Sequence, residues 1–138
     1  MIDKILVDTN IVLDLLAKRE QYLSEAQELF TLSDQKKVKL YVSSLTIANV
    51  YYLLSQSLKI ENARKILRTF KVLVEVLPMD NKIIDLSLES DFKDFEDAIQ
   101  YHTAIENNID LIITRNLKDF KLAKIPVLTA KNYLELGG

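Results

Sequence analysis

The stretch Lys4-Ile5-Leu6-Val7-Asp8-Thr9-Asn10 decides the fold of this chain. Its apolar residues lead directly into a carboxylate, a hydroxyl and an amide, and residues 11–16 then read as an amphipathic helix. An unbroken apolar run of this kind predicts a central parallel strand that is buried on both faces. Ligands of open α/β sheets bind beyond the carboxyl ends of such strands. Asp8 is therefore the first candidate for chemistry.

The length and composition predict one compact domain. The chain has 138 residues, 49% of them hydrophobic and 28% charged, with only 2 glycines and 2 prolines. This length suits a single domain with a sizeable core, which we expect to span residues 1–136, with 137–138 as a frayed tail. No apolar run approaches the roughly 20 residues of a membrane span, and the N-terminus lacks a signal-peptide pattern. These features predict a cytoplasmic protein without membrane contact.

The titratable residues restrict the chemistry. The chain has no cysteine and one histidine, His102. A thiolate nucleophile and a cysteine-based zinc site are thus excluded, and any metal is expected to have oxygen ligands. The formal net charge of -2 argues against a surface that attracts nucleic acid everywhere, although a local basic stripe can still do so.

The order of the predicted elements indicates an α/β fold. After the first strand and helix, further strands are predicted over 38–42, 72–77, 110–113 and 127–128. Helices are predicted over 22–32, 45–54, 60–70, 80–88, 98–105 and 130–136. Alternating strands and helices predict a single-domain, three-layer sandwich whose mainly parallel sheet has four or five strands and carries helices on both faces.

Polar residues recur where predicted strands end. Asp8, Ser43 and Thr114 each follow a strand, and Asn49 and Asp97 lie in the helices nearby. Because parallel strands end at one edge of the sheet, these groups are expected to gather there. Converging carboxylates repel one another, which either raises their pKa values or favours a bound divalent cation. Oxygen ligands suit Mg²⁺ or Mn²⁺, which can activate water and neutralise a phosphodiester.

Four segments give the chain a specific resemblance. They are Val7-Asp8-Thr9-Asn10, Ser43-Ser44-Leu45-Thr46 through Asn49, Asp94-Phe95-Glu96-Asp97-Ala98, and Thr114 through Phe120. In this order and at these separations, they make the chain similar to the PIN-domain family, a metal-dependent ribonuclease fold that includes many toxins of toxin–antitoxin pairs. The resemblance implies an endoribonuclease that uses Mg²⁺ or Mn²⁺, a small antitoxin partner and a homodimer, for which the apolar residues of 22–30 offer a surface.

The resemblance also implies roles for individual residues. Metal binding falls to Asp8, Asp97 and Asp119; further members of the catalytic set are Asn49, Thr114 and Asn116; supporting residues are Asp94, Thr9, Asn10 and Ser43. A basic cluster directly after the site can hold an RNA backbone, and its members are Arg115, Lys118, Lys121 and Lys124.

Two positions depart from the family pattern and leave a second function open. Asn49 and Asn116 stand where members of the family are usually acidic, and an amide can ligate a hard cation without contributing charge. The alternative is a catalytically weakened PIN-fold module that binds RNA or protein. A receiver-type signalling domain ranks lower, since it would need a phosphoacceptor after the third strand, where only Asp80 follows Pro78.

Ordinary structural roles compete with the functional ones. Asp94, Asp97 and Asn116 occupy positions that suit helix caps, and Asn49 could bond to neighbouring backbone. His102 has no second histidine or cysteine beside it, so we expect a packing role.

Overall fold

The strand that carries Ile5, Leu6 and Val7 lies at the centre of the sheet. The computed structural model describes residues 2–137 and contains five parallel strands in the order β3-β2-β1-β4-β5. Their bounds are β1 Asp3–Val7, β2 Val38–Ser43, β3 Glu75–Leu77, β4 Leu111–Ile113 and β5 Val127–Leu128. Leu6 pairs with Tyr41 on one side and Ile112 on the other. The predicted parallel sheet is confirmed.

In the described part of the chain, seven α-helices surround this sheet. Their bounds are α1 Thr9–Leu16, α2 Glu20–Asp34, α3 Ser44–Tyr52, α4 Ala63–Phe70, α5 Asn81–Glu89, α6 Phe95–Glu106 and α7 Ala130–Glu135. A π-helical segment, Leu53–Ser57, extends α3, and 3₁₀ segments lie at Lys71–Leu73 and Leu117–Phe120. Within residues 2–137, no helix has both the length and the apolarity to cross a bilayer.

Alternate residues of β1 face two separate apolar layers. Ile5 and Val7 belong to a core cluster with residues of α1, α2, α3, α4 and α7. Leu6 belongs to a second cluster, which includes Tyr101 and Ala104 of α6. The predicted sandwich with helices on both faces is therefore confirmed. Within α2, Ala26, Leu29 and Phe30 are buried, and Leu29 and Phe30 belong to the first cluster, so the apolar stripe proposed for homodimerisation is largely used by the core.

Two predicted boundaries are wrong. The third strand begins at Glu75 rather than 72, because α4 continues into the 3₁₀ segment and leaves Val72 85% exposed. The fourth helix begins at Ala63 rather than 60, because Asn62 adopts a left-handed conformation with φ 63°. Apolar periodicity does not reveal such backbone interruptions. The predicted frayed tail includes Gly138, which lies outside the described residues.

Polar caps start several helices at the carboxyl edge of the sheet. Asp8, Ser43, Asp80 and Thr129 each end a strand or its following turn and accept a hydrogen bond from the backbone of the next helix. This local requirement for N-caps places oxygen-bearing side chains along one edge. The fold thereby brings the candidate residues to this edge.

Candidate active site

Asp8 lies buried at the carboxyl end of β1 within a ring of hydrogen-bond donors. Its side chain is 6% exposed. The Thr9 backbone N–H donates to Asp8 Oδ1 at 2.8 Å, and Gln100 Nε2 donates to the same oxygen at 3.2 Å. The Thr114 hydroxyl donates to Asp8 Oδ2 at 2.8 Å. Burial raises the pKa of Asp8, while the hydrogen bonds, led by that from Thr114, act in the opposite direction.

A buried polar network extends from Asp8 to α3 and α6. Gln100 Nε2 also donates to Thr46 Oγ1 at 2.7 Å, and the Ser43 hydroxyl donates to the same Thr46 oxygen at 3.2 Å. The Thr46 and Thr9 hydroxyls lie 3.0 Å apart. These contacts join the ends of β1 and β2 to two helices, so they fix the orientation of Asp8.

Gln100 and Thr46 were missed by the sequence analysis. Gln100 lies three residues after Asp97, which places both on one face of α6. This spacing is the signal that could have identified Gln100. Its side chain is 2% exposed, and among residues 2–137 its Oε1 has no hydrogen-bond partner. A buried acceptor left in this way is costly, which marks Gln100 as a residue of interest within the site.

The loop after β4 is braced by Asn10 and Thr114. Thr114 Oγ1 accepts from the Asn116 backbone N–H at 3.1 Å and from Asn10 Nδ2 at 3.5 Å. Asn10 Oδ1 accepts from the Arg115 backbone N–H at 3.4 Å. Asn116 precedes the 3₁₀ segment but makes no side-chain cap hydrogen bond there. The capping role considered for the Asn116 side chain is therefore not observed.

Asp97 is the most strongly perturbed carboxyl near Asp8. Partial burial and four neighbouring carboxylates raise its pKa from 3.8 to about 7; the neighbours are Asp8, Asp94, Asp119 and Glu96. Asp119 in turn contributes to the raised pKa of Asp8. Asp8, Asp97 and Asp119 are thus close enough to repel one another. Asp94 has the capping role, since its Oδ1 accepts from the Asp97 backbone N–H at 2.9 Å.

An open cleft of about 470 Å³ runs over this acidic group. Its lining includes the carboxylates of Asp94, Asp97 and Asp119, together with Lys118 and Lys121. Lys93, which the sequence analysis did not single out, lies on the same lining. The lining of the cleft therefore combines carboxylates with basic side chains. Carboxylates can hold a metal ion for phosphodiester chemistry, and basic side chains can bind phosphate.

Arg115 is held away from this cleft. Its Nε lies 3.0 Å from Oδ2 of Asp14, a buried carboxylate of α1. The guanidinium carbon lies 4.1 Å from the ring centroid of Tyr22. Arg19 is a second, more distant partner of Asp14, at 3.9 Å. Arg115 thus neutralises a buried charge, and Lys118 and Lys121 are the predicted RNA-binding residues that line the cleft.

Asn49 of α3 contacts the first turn of α6. Its Nδ2 donates to Glu96 Oε2 at 3.4 Å, whereas the sequence analysis considered a bond to neighbouring backbone. Glu96 belongs to the first turn of α6 and is exposed. Glu96 has no role among the predictions from the sequence.

The remaining titratable candidate, His102, packs against aromatic rings. Its ring centroid lies 5.1 Å from that of Tyr101 and 6.4 Å from that of Phe92. Burial lowers the pKa of His102, which favours the neutral imidazole. This placement agrees with the expected packing role.

The donor chemistry of the cleft fits a hard divalent cation. Asp8, Asp97 and Asp119 offer carboxylate oxygens, and their mutual repulsion is what a cation relieves. Among residues 2–137, however, no three histidine, aspartate or glutamate side chains converge closely enough to hold a metal ion as they stand. The residues thus fit Mg²⁺ or Mn²⁺ in ligand type and charge, but their side chains do not form a complete coordination site.

The parallel sheet with carboxylates at its carboxyl edge defines an α/β protein whose ligand site is expected beyond the strand ends. The PIN-domain family model matches residues 4–118. Ribonuclease VapC1 of Aquifex aeolicus is 29% identical over 138 residues, covering 96% of this chain and 94% of that protein. The chain belongs to the PIN-domain family.

Solved structures share the fold over nearly the whole chain. A toxin-antitoxin complex from Klebsiella pneumoniae has a chain 26% identical to this one, with a TM-score of 0.68 and coverage of 91% of this chain and 96% of that one. VapBC2 from Rickettsia felis, bound to a DNA fragment from its promoter, matches with 24% identity, a TM-score of 0.68 and coverage of 93% and 97%.

Proposed function

We propose that this protein is a Mg²⁺- or Mn²⁺-dependent endoribonuclease. The observation that carries the proposal is a group of interacting carboxylates. Asp97 and Asp119 line a cleft that also holds lysines, and they repel the nearby buried Asp8, which Thr114 and Gln100 orient. The similarity to ribonuclease VapC1 supports the reaction class. Asp8, Asp97 and Asp119 would hold the cation, which supplies a Lewis acid for water activation and neutralises the phosphodiester.

The chain's own residues prepare the cleft for this substrate. Thr114 and Gln100 donate to opposite oxygens of Asp8 and so hold its carboxylate in one orientation. Lys118 and Lys121 offer positive charge to an RNA backbone. Asp97, with a pKa of about 7, exchanges a proton near neutral pH. Because protons compete with cations for carboxylates, metal binding should strengthen as the pH rises through 7.

We also propose a small antitoxin as the protein partner. The support is the similarity to a chain of the Klebsiella pneumoniae toxin-antitoxin complex. Expression of the chain alone should arrest the growth of a bacterial host, and the Asp97→Asn variant should not.

The test of the ribonuclease proposal is cleavage of end-labelled RNA, single-stranded and structured, with Mg²⁺, Mn²⁺ or EDTA. Wild type should cleave only with metal, and Asp8→Asn and Asp97→Asn should lose cleavage. Asp91→Asn removes a charge from the cleft rim without entering the Asp8 network, so it should retain cleavage. Metal-independent cleavage, or full activity of Asp97→Asn, would refute the assignment.

A second function is favoured by one specific observation. Asn49 and Asn116 contribute no charge, and no three carboxylates converge in the described part of the chain. A PIN-fold module that binds RNA or protein without cutting would have these properties. It would bind RNA in the same assay and leave it intact with either metal.

A further inference from the structure

A second open cavity, of about 700 Å³, is lined by residues of α3, its π-helical extension and α4. Three of the lining side chains are basic, and all three belong to α4: Arg64, Lys65 and Arg68. Among the described residues, no aspartate or glutamate contributes to this lining. We call these three side chains the α4 basic surface. The cavity shares no lining residue with the carboxylate cleft, so it is a separate feature of the molecule.

The apolar pattern of α4 determines which side chains face solvent. Ala63, Leu67 and Phe70 are buried against the core, and this spacing leaves the opposite side of the helix exposed. Arg64 and Arg68 are one helical turn apart and therefore lie on the same side. The guanidinium carbon of Arg64 lies 6.0 Å from the ring centroid of Tyr51, which belongs to α3 and also lines the cavity.

The positive charge of this surface is not compensated. Within residues 2–137, no carboxylate forms an ion pair with Arg64, Lys65 or Arg68, although the exposed Glu61 precedes the helix. Arg64 and Lys65 occupy the first turn of α4, which contains no acidic residue. Basic residues are unfavourable in a first turn, because the helix dipole is already positive there. The surface therefore attracts anions at some expense of helix stability.

The lining of the cavity favours a polyanion over the apolar face of another protein. Its apolar members are few, and the cores of protein interfaces are depleted of charged residues. Unpaired arginine and lysine side chains instead match the repeated charges of a phosphodiester backbone, and a guanidinium group can bind a phosphate with two hydrogen bonds. A nucleic-acid strand is thus the partner whose chemistry fits this surface.

One helix joins this surface to the active site. Thr46, near the N-terminus of α3, accepts a hydrogen bond from Gln100, which also donates to Asp8. Tyr51 lies five residues further along the same helix, which corresponds to about 8 Å. An RNA strand that extends beyond the cleft can therefore reach the α4 basic surface.

We propose that the α4 basic surface is a second RNA-binding site, which holds the phosphodiester backbone of the substrate outside the catalytic cleft. The inference rests on the proposed function in its choice of RNA as the polyanion. The cleft lysines, Lys118 and Lys121, bind the strand near the carboxylates, and the α4 basic surface binds a more distant part of the same strand. The second contact raises the affinity for RNA without a role in the chemical step.

The first experiment measures the binding of a fluorescently labelled, single-stranded RNA of about 16 nucleotides by fluorescence polarisation in EDTA. Lys65→Gln/Arg68→Gln should bind this RNA about 10-fold more weakly than wild type in about 0.1 M salt, and its salt-dependence slope should be smaller by about 1.4. The matched control, Lys37→Gln/Lys71→Gln, removes two charges from exposed lysines outside the cavity and should bind like wild type. All four side chains are exposed, so thermal unfolding should not change.

The second experiment measures cleavage of the same RNA in saturating Mg²⁺. Lys65→Gln/Arg68→Gln should raise KM about 10-fold and leave kcat unchanged, because the contact is equally present in the ground state and the transition state. The inference is overturned if this variant binds RNA like Lys37→Gln/Lys71→Gln, if wild type does not bind the RNA in EDTA, or if the variant lowers kcat with KM unchanged.

The two experiments together distinguish failure of the inference from failure of the proposed function. If wild type cleaves RNA and Lys65→Gln/Arg68→Gln has the KM and the RNA affinity of the control, the proposed function stands and the second binding site is refuted. If wild type binds RNA through the α4 basic surface but cleaves none with either metal, the ribonuclease proposal fails and the binding site stands.

Discussion

Asp97→Asn is expected to stabilise the metal-free protein near neutral pH while it removes cleavage. Burial and four neighbouring carboxylates raise the pKa of Asp97 from 3.8 to about 7. The folded protein therefore keeps a proton that the unfolded chain releases between about pH 4 and pH 7. Its free energy of unfolding must fall as the pH rises through this window. The Asp97→Asn variant has no carboxyl group at this position, so its free energy of unfolding does not fall in this way.

The size of this stabilisation follows from the two pKa values of Asp97. The difference between 3.8 in the unfolded chain and about 7 in the folded protein limits the loss of unfolding free energy above pH 7 to about 4 kcal/mol. Asp97 is only partly buried, so solvent screening reduces this to about 1–2 kcal/mol. The variant also loses a negative charge that stabilises the N-terminus of α6, and this loss offsets about 0.5 kcal/mol of the gain. A net gain of about 1 kcal/mol corresponds to a Tm increase of about 3–5 °C.

The assay is thermal unfolding in EDTA from pH 4.5 to 8, monitored by circular dichroism. Wild type should lose stability relative to Asp97→Asn as the pH rises, and the difference between the two should be smallest at pH 4.5. Asp91→Asn, which removes one charge from the exposed cleft rim, should follow wild type. Added Mn²⁺ should raise the Tm of wild type more than that of Asp97→Asn. The reasoning is refuted if Asp97→Asn is less stable than wild type at pH 7.5 or shows the same pH dependence.

Three further substitutions test separate contacts. Thr114→Val removes the 2.8 Å hydrogen bond to Asp8 Oδ2 and should cost about 1–3 kcal/mol in urea unfolding, since it leaves a buried acceptor without its donor. Arg115→Ala leaves the buried Asp14 with only a distant arginine and should cost about 3 kcal/mol by the same measurement, with RNA affinity reduced only through lost folding. Lys121→Ala should leave unfolding unchanged, weaken RNA binding and lower the salt-dependence slope by about 1.

Matched controls come from α4 and the residue that follows it. Thr69→Val, Arg68→Ala and Lys71→Ala make the same chemical changes at exposed positions on another surface. A Thr114→Val variant as stable as Thr69→Val would contradict the role given to the Asp8 hydrogen bond. Equal stability of the two arginine variants would contradict the charge-neutralising role of Arg115. An unchanged salt slope for Lys121→Ala would remove Lys121 from the RNA-binding surface.

Local sequence signals were sufficient for the layers of the fold and for several caps. The apolar run ending at Val7 is a central strand because it is apolar at successive positions and so can be buried on both faces. Asp94 occupies a predicted cap position, and its Oδ1 accepts from the Asp97 backbone N–H at 2.9 Å. Boundaries were less predictable, because the left-handed turn at Asn62 depends on a single backbone conformation.

The residues of the candidate site were also predictable only in part from the sequence. Its carboxylates were predictable because each of them follows a strand or opens a helix, and strand order alone brings such residues to one edge. The positions of the three basic side chains were not predictable, since charge composition does not show that Asp14 is buried and draws Arg115 away from the cleft. Lys118 and Lys121 line the cleft, and neither forms an ion pair with a carboxylate among the described residues.

Contacts between distant segments required the folded chain. The sequence by itself determined the sheet, the acidic edge and the family, because these depend on apolar patterning and on short motifs. The hydrogen bonds from Gln100 to Asp8 and from Asn49 to Glu96 join residues 92 and 47 positions apart. Polar partners at such separations have no periodicity that identifies them. Helix packing brings α3 next to α6, and this packing determines which amide faces which carboxylate.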